Sequence, residues 1–413
     1  MTIFALSCFS SLPAQAPLRS ATVKVLEYLD LPDTENLVSR LREDNRRIQE
    51  QLVPTDGEYA LLSADDRTLY FSQIYLSYYG LGYYALPRVH TWLEKQRPEG
   101  FIAEDEDTLD TPRPVTPFLA QIILLGSKQQ NNYNWLRKSP GGEGLSYYER
   151  LKQYLDYWRL HCDADGNGLP AWRWEGVDGL LPPALLNGEA KKGNPVESVA
   201  LACLLHREYR AMALLAHQLR RPADIDTFHR RADALTEALN DYCWNENGGF
   251  YLDRVEASGE LLPLRSAAGF LPLFAGIAPY ERAERLVRDH LRQKDGFWTS
   301  FPLPLEATDA NSDLGKTAYI PLNYLVFQGL MDYGYHDLAR LLAIRSFELA
   351  FRQNQHPRSY YEYLSDKGLG QDSASWSSLA YLMPWEYELN YTPAAMSWQP
   401  LFPLAQDYLG VAW

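Results

Sequence analysis

The sequence PVESVALACLLHREYRAMALLAHQL at residues 195–219 is followed, after two arginines, by PADIDTFHRRADALTEALNDYCW at residues 222–244. Apolar residues recur along both stretches with the period of an α-helix. Pro222 stands at a natural first-turn position of the second stretch, where its missing N–H costs nothing. The two stretches therefore predict two consecutive helices.

Helical periodicity extends along the chain on both sides of this pair. After an Asp33-Thr34 start signal, residues 34–52 carry apolar positions at helical spacing. Strand-like alternation is scarce, and its best example is the short piece GGFYLDRV at residues 248–255. Further helices are predicted at residues 66–95, 114–127, 145–162, 279–293, 318–332, 335–354 and 374–388.

Ten to twelve helices with long loops between successive pairs predict an all-α fold, the (α/α)6 barrel or toroid. In this architecture inner and outer helices alternate, and loops at one end build a site. An irregular solenoid is the alternative, but the sequence has no fixed-period repeat. Since no Pro/Ser/Gly-rich linker divides the chain, residues 25–413 are predicted to form one domain. Residues 1–24 are predicted to be a loose N-terminal segment, with a secretory signal as the alternative.

Composition excludes several classes of partner. The 413 residues include 39 Lys and Arg against 53 Asp and Glu, a net charge of −14. Such an acidic surface repels phosphate backbones and anionic lipid, so neither nucleic acid nor a membrane is expected as a partner. The longest apolar runs are too short to span a bilayer. Four Cys without a CxxC pair indicate buried thiols in a reducing compartment, so a cytoplasmic location is expected.

Aromatic residues are abundant, with 28 Tyr, 15 Phe and 11 Trp making up 13% of the chain. Tyr and Trp combine an apolar face with a polar tip, which suits the binding of sugars. A large aromatic core is the alternative explanation. The run YFSQIYLSYYGLGYY at residues 70–84 favours this alternative, because Tyr at such density usually packs a helix pair.

The segment DADGNGLPAWRWEGVDG at residues 163–179 is the first candidate site. Its start imitates an EF-hand loop, but the twelfth position is Trp174 in place of the bidentate Glu, so a turn is predicted. Trp172 and Trp174 precede Asp178, which lies in a Gly-Val-Asp-Gly turn. Desolvation beside aromatic rings raises a carboxyl pKa, as a general acid requires. A turn Asp that caps the next segment remains the alternative.

The segment HPRSYYEYLSDKGLGQDSASWSSLAYL at residues 356–382 is the second candidate site. Glu362 lies between Tyr361 and Tyr363, ahead of a Gly-rich loop and a helix that holds Trp376. A Glu kept ionised by tyrosine hydroxyls suits a base that activates water. A structural Glu at a helix end is the alternative.

Other mechanisms find little support in the sequence. It has no GxSxG elbow, HExxH pair, Walker loop or dinucleotide fingerprint, and its eight His are not at metal-ligand spacing. No metal and no cofactor are therefore expected. Two carboxylates in aromatic loops are the equipment of glycoside hydrolysis.

The two segments resemble motifs of the α/α-barrel glycosidases around glycoside hydrolase family 63, which include mannosylglycerate hydrolases and, more distantly, trehalases. A "DxDGxGL…W…GxDN" segment carries the general acid of that group, and DADGNGLPAWRWEGVDG matches it with Asp178 as the acid. A later "YEY…GxGxxxxSW" segment carries the base, and YYEYLSDKGLGQDSASW matches it with Glu362 as the base and Trp376 as the site tryptophan. The resemblance implies a six-hairpin toroid and covers residues 65–390.

Three substrate-gripping motifs of that group are altered here. Residues 71–75, FSQIY, lack the usual Asp, and residues 113–117, RPVTP, keep Arg113 but lose a Gln. Residues 314–316, LGK, stand where Trp-Arg-Gly is customary. These departures indicate an altered substrate or an impaired enzyme.

The expected function is an inverting glycosidase acting on a small α-linked sugar or glycoside, with Asp178 as acid and Glu362 as base. Trp172, Trp174, Tyr361 and Trp376 are expected to orient the sugar ring, and Arg113 to bind a hydroxyl or a carboxylate. A non-catalytic carbohydrate-binding relative is one alternative. A sugar isomerase or epimerase that uses His161, His206 or His356 is the other.

Overall fold

The computed structural model describes residues 34–54, 59–61, 66–104, 112–174, 194–293, 296–310, 313, 316–352, 358–362, 368–372, 374–389 and 392–396. Twelve α-helices lie within these ranges. They are α1 (Thr34–Glu50), α2 (Asp66–Ser77), α3 (Leu86–Glu94), α4 (Leu119–Gln130), α5 (Tyr147–His161), α6 (Val199–Gln218), α7 (Pro222–Tyr242), α8 (Leu271–Ala275), α9 (Tyr280–Arg285), α10 (Ile320–Asp332), α11 (His336–Arg352) and α12 (Ala374–Leu389).

The even-numbered helices form a closed inner ring. Each contacts the next in the order α2, α4, α6, α8, α10 and α12, and α12 packs against α2 to complete the circle. Along α10 every residue from Ile320 to Leu330 is buried, whereas α7 buries only five of its 21 residues. A helix that is apolar on all sides belongs in the interior, so burial and contacts agree on which helices are inner and which are outer.

Short strands lie between the helices. They are β1 (Val53–Pro54), β2 (Tyr59–Ala60), β3 (Ala171–Trp172), β4 (Val196–Glu197), β5 (Trp244–Asn245), β6 (Phe250–Tyr251), β7 (Arg254–Val255), β8 (Thr317–Tyr319), β9 (Arg358–Glu362) and β10 (Gly368–Asp372). Two antiparallel three-stranded sheets result, β3-β4-β7 and β10-β9-β8. The sequence predicted the strand region at 248–255 but not the β9–β10 pair.

Both sheets lie where inner helices begin. The chain passes from β4 into α6 and from β8 into α10 within a few residues. Extended bridges Arg254↔Leu261, Ser266↔Glu306 and Pro304↔Ala318 connect the two sheets through the segment that precedes α8. The N-terminal ends of α6, α8 and α10 therefore share one edge of the toroid.

The predicted helices correspond to observed ones with two differences. The stretch predicted as one helix at 66–95 is divided by a turn at Gly80, whose positive φ of 76° ends α2, and by a 3-10 turn at Gly82–Ala85. The last part of the 279–293 helix is a π turn, Leu286–Leu291. Pro222 opens α7 as predicted. The N-terminal segment 1–24 lies outside the described residues.

Buried aromatic side chains fill much of the interior. In the run at 70–84, Tyr70, Tyr75 and Tyr78 are at most 1% exposed, which confirms that this run serves packing. Cys162, Cys203 and Cys243 are buried free thiols, as predicted. Among the described helices, none has both the length and the apolar character needed to cross a membrane.

Candidate active site

The predicted acid, Asp178, falls within residues 175–193, which lie outside the described residues. In the sequence β3 precedes these residues and β4 follows them. These strands pair antiparallel, with Ala171 opposite Glu197 and Trp172 opposite Val196. We call this short antiparallel pair, which lies at the beginning of α6, the stem.

The predicted base, Glu362, lies on β9, of which the structure describes the backbone. Its partner in β8 is Thr317, and Tyr361 pairs with Ala318 on one side and Gly368 on the other. Since α10 begins at Ile320, β9 is the central strand of a sheet beside the first turn of an inner helix. Trp376 lies in the first turn of α12, which follows β10, and its side chain is outside the described part.

Two of the predicted platform residues lie in a tryptophan cluster at the stem. The ring centroids of Trp172 and Trp174 are 5.3 Å apart, and Trp158 of α5 lies 6.3 Å from the first and 5.8 Å from the second. Trp172 is only 2% exposed, whereas Trp174 is partly buried and packs against the core. Of this pair, Trp174 is the one with accessible ring surface.

Arg113 precedes α4 and is ion-paired. Its guanidinium lies 2.9 Å from the Glu104 carboxylate, and both side chains are partly buried. The backbone supports this pair, because the Glu104 N–H donates to the Arg113 carbonyl at 2.9 Å. A ligand group that binds Arg113 therefore meets a guanidinium already held in place by Glu104.

A cluster of charged side chains at the stem was not foreseen from the sequence. Carboxylate oxygens of Asp165, Glu197 and Glu256 lie within 4.8 Å of one another. Arg254 donates to both Asp165 and Glu197, and Arg173 donates to Glu256. We call these five residues the stem cluster. Its two guanidinium groups neutralise most of the negative charge of the three carboxylates.

The stem cluster fastens the β3–β4 stem to β7. Glu256 is 7% exposed and also accepts the Ala164 N–H at 2.9 Å, so it connects β7 to the segment leading into β3. Glu197 is 1% exposed and accepts from Asn167 at 2.7 Å. Burial raises the pKa of Glu197, and its bonds to Arg254 and Asn167 oppose that rise. Sequence reasoning missed this cluster because its partners are distant in the chain.

The EF-hand-like segment is a turn, as predicted. Asp163 accepts the Gly168 N–H at 3.1 Å, and Asn167 accepts the Leu169 N–H at 2.7 Å. Burial raises the pKa of Asp163. These carboxyl and amide groups are used for local backbone hydrogen bonds of the Asx-turn type.

The histidines of the isomerase alternative do not converge among the described residues. His161 is exposed at the end of α5 and stacks on Tyr157 with centroids 5.0 Å apart. His206 is buried near the middle of α6, where burial lowers its pKa to about 3. His356 lies outside the described residues.

Residues 71–75, which lack the Asp that is usual in the glycosidase motif, have a packing role. Ser72 and Gln73 are fully buried in α2. The Gln73 amide donates to the carbonyls of Gly82 and Ile122, at 2.9 and 2.8 Å. This amide therefore joins two inner helices, α2 and α4. Of the altered LGK motif, Leu314 and Gly315 lie outside the described residues.

A family model matches a segment of the chain that includes Glu362 and Trp376 but begins after Asp178. Residues 185–377 match the family model of the mannosylglycerate hydrolase MGH1-like glycoside hydrolase domain. Over 189 residues the chain is 31% identical to mannosylglycerate hydrolase of Thermus thermophilus, covering 44% of each protein. Mannosylglycerate hydrolase MGH1 of Selaginella moellendorffii is 27% identical over 47% of this chain and 39% of its own length. The chain thus matches less than half the length of these relatives.

Solved structures extend the similarity to the whole fold. A GH63 mannosylglycerate hydrolase of Thermus thermophilus in complex with glucose superposes with a TM-score of 0.60 at 18% identity, covering 90% of this chain and all of that one. Neutral trehalase of Saccharomyces cerevisiae superposes with a TM-score of 0.55 at 15% identity, covering 83% and 76%. Together with the ring of inner helices, these likenesses confirm the α/α toroid. The chain is therefore similar to the α/α-barrel glycosidases around glycoside hydrolase family 63, the family that its sequence resembles.

Proposed function

We propose that this chain is a glycoside hydrolase of the GH63 type, acting on a small α-linked sugar or glycoside. One observation carries the proposal. The β3–β4 stem, between whose strands Asp178 stands in the sequence, and the strand that bears Glu362 both lie at the edge of the toroid where α6 and α10 begin, and extended segments bridge them. Asp178 comes four positions after Trp174, so this edge is where we propose that the two carboxyl groups, 184 positions apart in sequence, meet.

The proposed reaction is a single displacement. Asp178, protonated, donates its proton to the oxygen of the leaving group. Glu362, ionised, removes a proton from a water molecule that attacks the anomeric carbon from the opposite face of the ring. Such an inverting arrangement needs carboxyl groups about 6.5–9.5 Å apart, so that the water fits between base and sugar.

Aromatic residues at the same rim support a sugar ring as the ligand. Trp174 is partly buried against Trp172, so its ring is held in place while part of it stays accessible. Tyr361 and Trp376 lie on β9 and at the start of α12, beside the proposed base. A rigid apolar platform orients the ring and excludes water from the reacting carbon.

The names of the relatives suggest the aglycone. One solved mannosylglycerate hydrolase structure from Thermus thermophilus is described as a complex with Tris and D-glycerate. A carboxylate-bearing aglycone suits Arg113, because a planar guanidinium offers several N–H donors and Glu104 holds this one in place. We therefore propose α-glycosides with and without a carboxylate in the aglycone as the first substrates to compare.

Hydrolysis of a panel of α-glycosides by the full chain tests the proposal. Asp178→Asn and Glu362→Gln are each expected to reduce the rate by about 10²–10⁴-fold, the usual contribution of general acid or base. NMR of the first-formed sugar is expected to show inversion at the anomeric carbon.

Exposed Asp241→Asn on α7 and Glu388→Gln on α12 make the same chemical changes away from the site and serve as controls. Circular dichroism verifies that all four variants keep their helix content. Binding without hydrolysis across the panel, or wild-type rates in both site variants, contradicts the proposal.

A further inference from the structure

A cavity lies within the toroid, away from the proposed catalytic rim. Its volume is about 490 Å³, and it is lined by inner helices α6, α8 and α10, by α7 and by residues 392–396. We call it the distal cavity. We propose that it binds a small, neutral, polyhydroxylated molecule of about the size of one sugar ring.

Position along the helices separates the distal cavity from the catalytic rim. On α10, Gln328 and Asp332 line the cavity. They stand about 12 and 18 Å beyond Ile320 at 1.5 Å per residue. On α6, His206 lies about 10 Å beyond Val199 by the same measure. Between the two levels the core is filled, and Asn323 and Tyr324 are at most 1% exposed.

Arg207 supplies rigid donors to the distal cavity. Its guanidinium lies 3.9 Å from the Phe274 ring centroid and donates to the carbonyls of Phe274 and Ala394, at 3.1 and 2.9 Å. A third bond runs from its Nε to Gln121 at 3.2 Å. A guanidinium has five N–H donors, so two remain without an acceptor among the described residues.

Acceptors face the same space. The Gln328 amide nitrogen donates to Glu386, which leaves its carbonyl oxygen without a partner among the described residues. Asp332 has no hydrogen-bond or ion-pair partner in the part of the chain that the structure describes. His206 is 7% exposed, and its Nδ1 is buried without a hydrogen bond. Since its pKa is lowered to about 3, this imidazole is neutral at neutral pH and adds no charge to the cavity.

This combination selects the class of ligand. Arg207 and Arg210 disfavour a cation, and Asp233 and Asp332 disfavour an anion. A hydroxyl group both donates and accepts, so a molecule with several hydroxyls satisfies the fixed donors and the free acceptors together. The volume lies within the range of small-molecule sites. A neutral sugar or polyol meets all of these conditions.

NMR of the full chain labelled with ¹³C in its histidines tests the distal cavity without any turnover. His206→Gln identifies the His206 signal by its loss. We expect D-glucose to shift that signal saturably, both in the wild type and in Glu362→Gln. Inorganic phosphate and ethylenediamine, as charged probes, are expected to leave it unchanged. Asp332→Ala is expected to weaken glucose binding about tenfold, the loss of about 1.4 kcal/mol for a charged hydrogen bond.

Asp241→Ala makes the same substitution on an exposed face outside the cavity and is expected to bind glucose as the wild type does. Arg210→Ala, at the exposed mouth of the cavity, provides a second variant that does not disturb the core. A His206 signal insensitive to glucose, a stronger response to phosphate, or equal affinity in Asp332→Ala overturns the proposal. The outcome is independent of glycoside hydrolysis, because Asp332 lies outside the proposed catalytic rim.

Discussion

Glu386 shows how a single buried carboxyl joins three inner helices. Tyr78, which directly follows α2, and Tyr324 of α10 donate to its Oε1 at 2.6 and 2.7 Å, and Gln328 donates to its Oε2. The residue is 2% exposed, and burial raises its pKa to about 8 in spite of these donors. Desolvation of the charged form thus outweighs three hydrogen bonds.

The raised pKa of Glu386 predicts a pH dependence of stability. Between about pH 4.5 and 8 the folded chain holds a proton here that the unfolded chain releases, so this contribution to the free energy of unfolding falls as pH rises. Urea denaturation across this window is expected to show a smaller loss of stability with pH in Glu386→Gln than in the wild type. Exposed Glu388→Gln on the same helix should keep the wild-type slope. An unchanged slope in Glu386→Gln would refute the assignment.

For single residues, local sequence patterns identified candidate site residues, but they did not identify ion pairs between residues distant in the chain. Asp178 and Glu362 stand out because each lies in a dense local motif of aromatic and Gly residues. Arg173 and Glu256 form an ion pair across 83 positions, and nothing in either local sequence indicates the other. Charge pairing of this kind depends on the tertiary fold, which pairs β4 with β3 on one side and with β7 on the other.

Among the elements, the β3–β4 stem is held by its charged side chains, and this predicts an effect of Arg173. Arg173→Ala leaves buried Glu256 without its guanidinium partner, which loosens the stem. Hydrogen exchange of the Ala171 amide is expected to become about tenfold faster, equivalent to about 1.4 kcal/mol of local stability. Arg173→Lys should recover part of the protection. Arg159→Ala, which removes an exposed pair with Asp156, is the control and should leave that amide unchanged.

Close contact between helices α8 and α10 predicts an effect of Gly329. A Cβ at this position would lie 2.6 Å from the Phe274 nitrogen and 2.8 Å from the Leu273 Cβ. Ala in a helix interior ordinarily stabilises by about 0.5–1 kcal/mol over Gly, but here the two helices must separate. Gly329→Ala is therefore expected to lower the free energy of unfolding by about 1–3 kcal/mol in urea titrations.

Gly126 of α4 is the comparison for Gly329. Its added Cβ would meet only side chains, the nearest being Leu86 at 2.8 Å, and a side chain can rotate away where backbone cannot. Gly126→Ala should therefore cost less than Gly329→Ala. The reverse order, or a stabilising Gly329→Ala, would contradict the close approach of α8 and α10.

Element prediction succeeded for the long helices and failed for the short inner helix α8 and for the β9–β10 hairpin. Long periodic stretches such as residues 222–244 carry many apolar positions, so their helical period is unmistakable. β9 and β10 are five residues each, and β9 is stabilised by β8 on one side and β10 on the other. A strand whose pairing depends on a segment some 40 positions away leaves little local signal, so Glu362 was expected in a loop or at a helix end.

For the whole molecule, closure of the ring was predictable in outline because inner and outer helices alternate along the chain. How the ring closes was not predictable, since the contact joins α12 to α2 from opposite ends of the sequence. Helix α1 covers this junction. Asn45 accepts from Tyr75 of α2 at 2.5 Å, Asp44 accepts from Ser378 of α12 at 2.9 Å, and Arg40 donates to the Ala350 carbonyl of α11 at 3.1 Å.

The bond between Asp44 and Ser378 provides a test of this closure by a double-mutant cycle. Both residues are at most 2% exposed, and burial raises the pKa of Asp44 to about 7. Above that pH the bond has an ionised acceptor, so urea denaturation of Asp44→Ala, Ser378→Ala and the double variant is expected to give a coupling of about 1 kcal/mol or more. The exposed Arg46–Glu50 pair within α1 should couple by at most about 0.5 kcal/mol. The Asp44–Ser378 pair connects α1 to α12, whereas the Arg46–Glu50 pair lies within α1. Equal coupling energies in the two pairs would therefore mean that α1 does not stabilise the junction of α12 and α2.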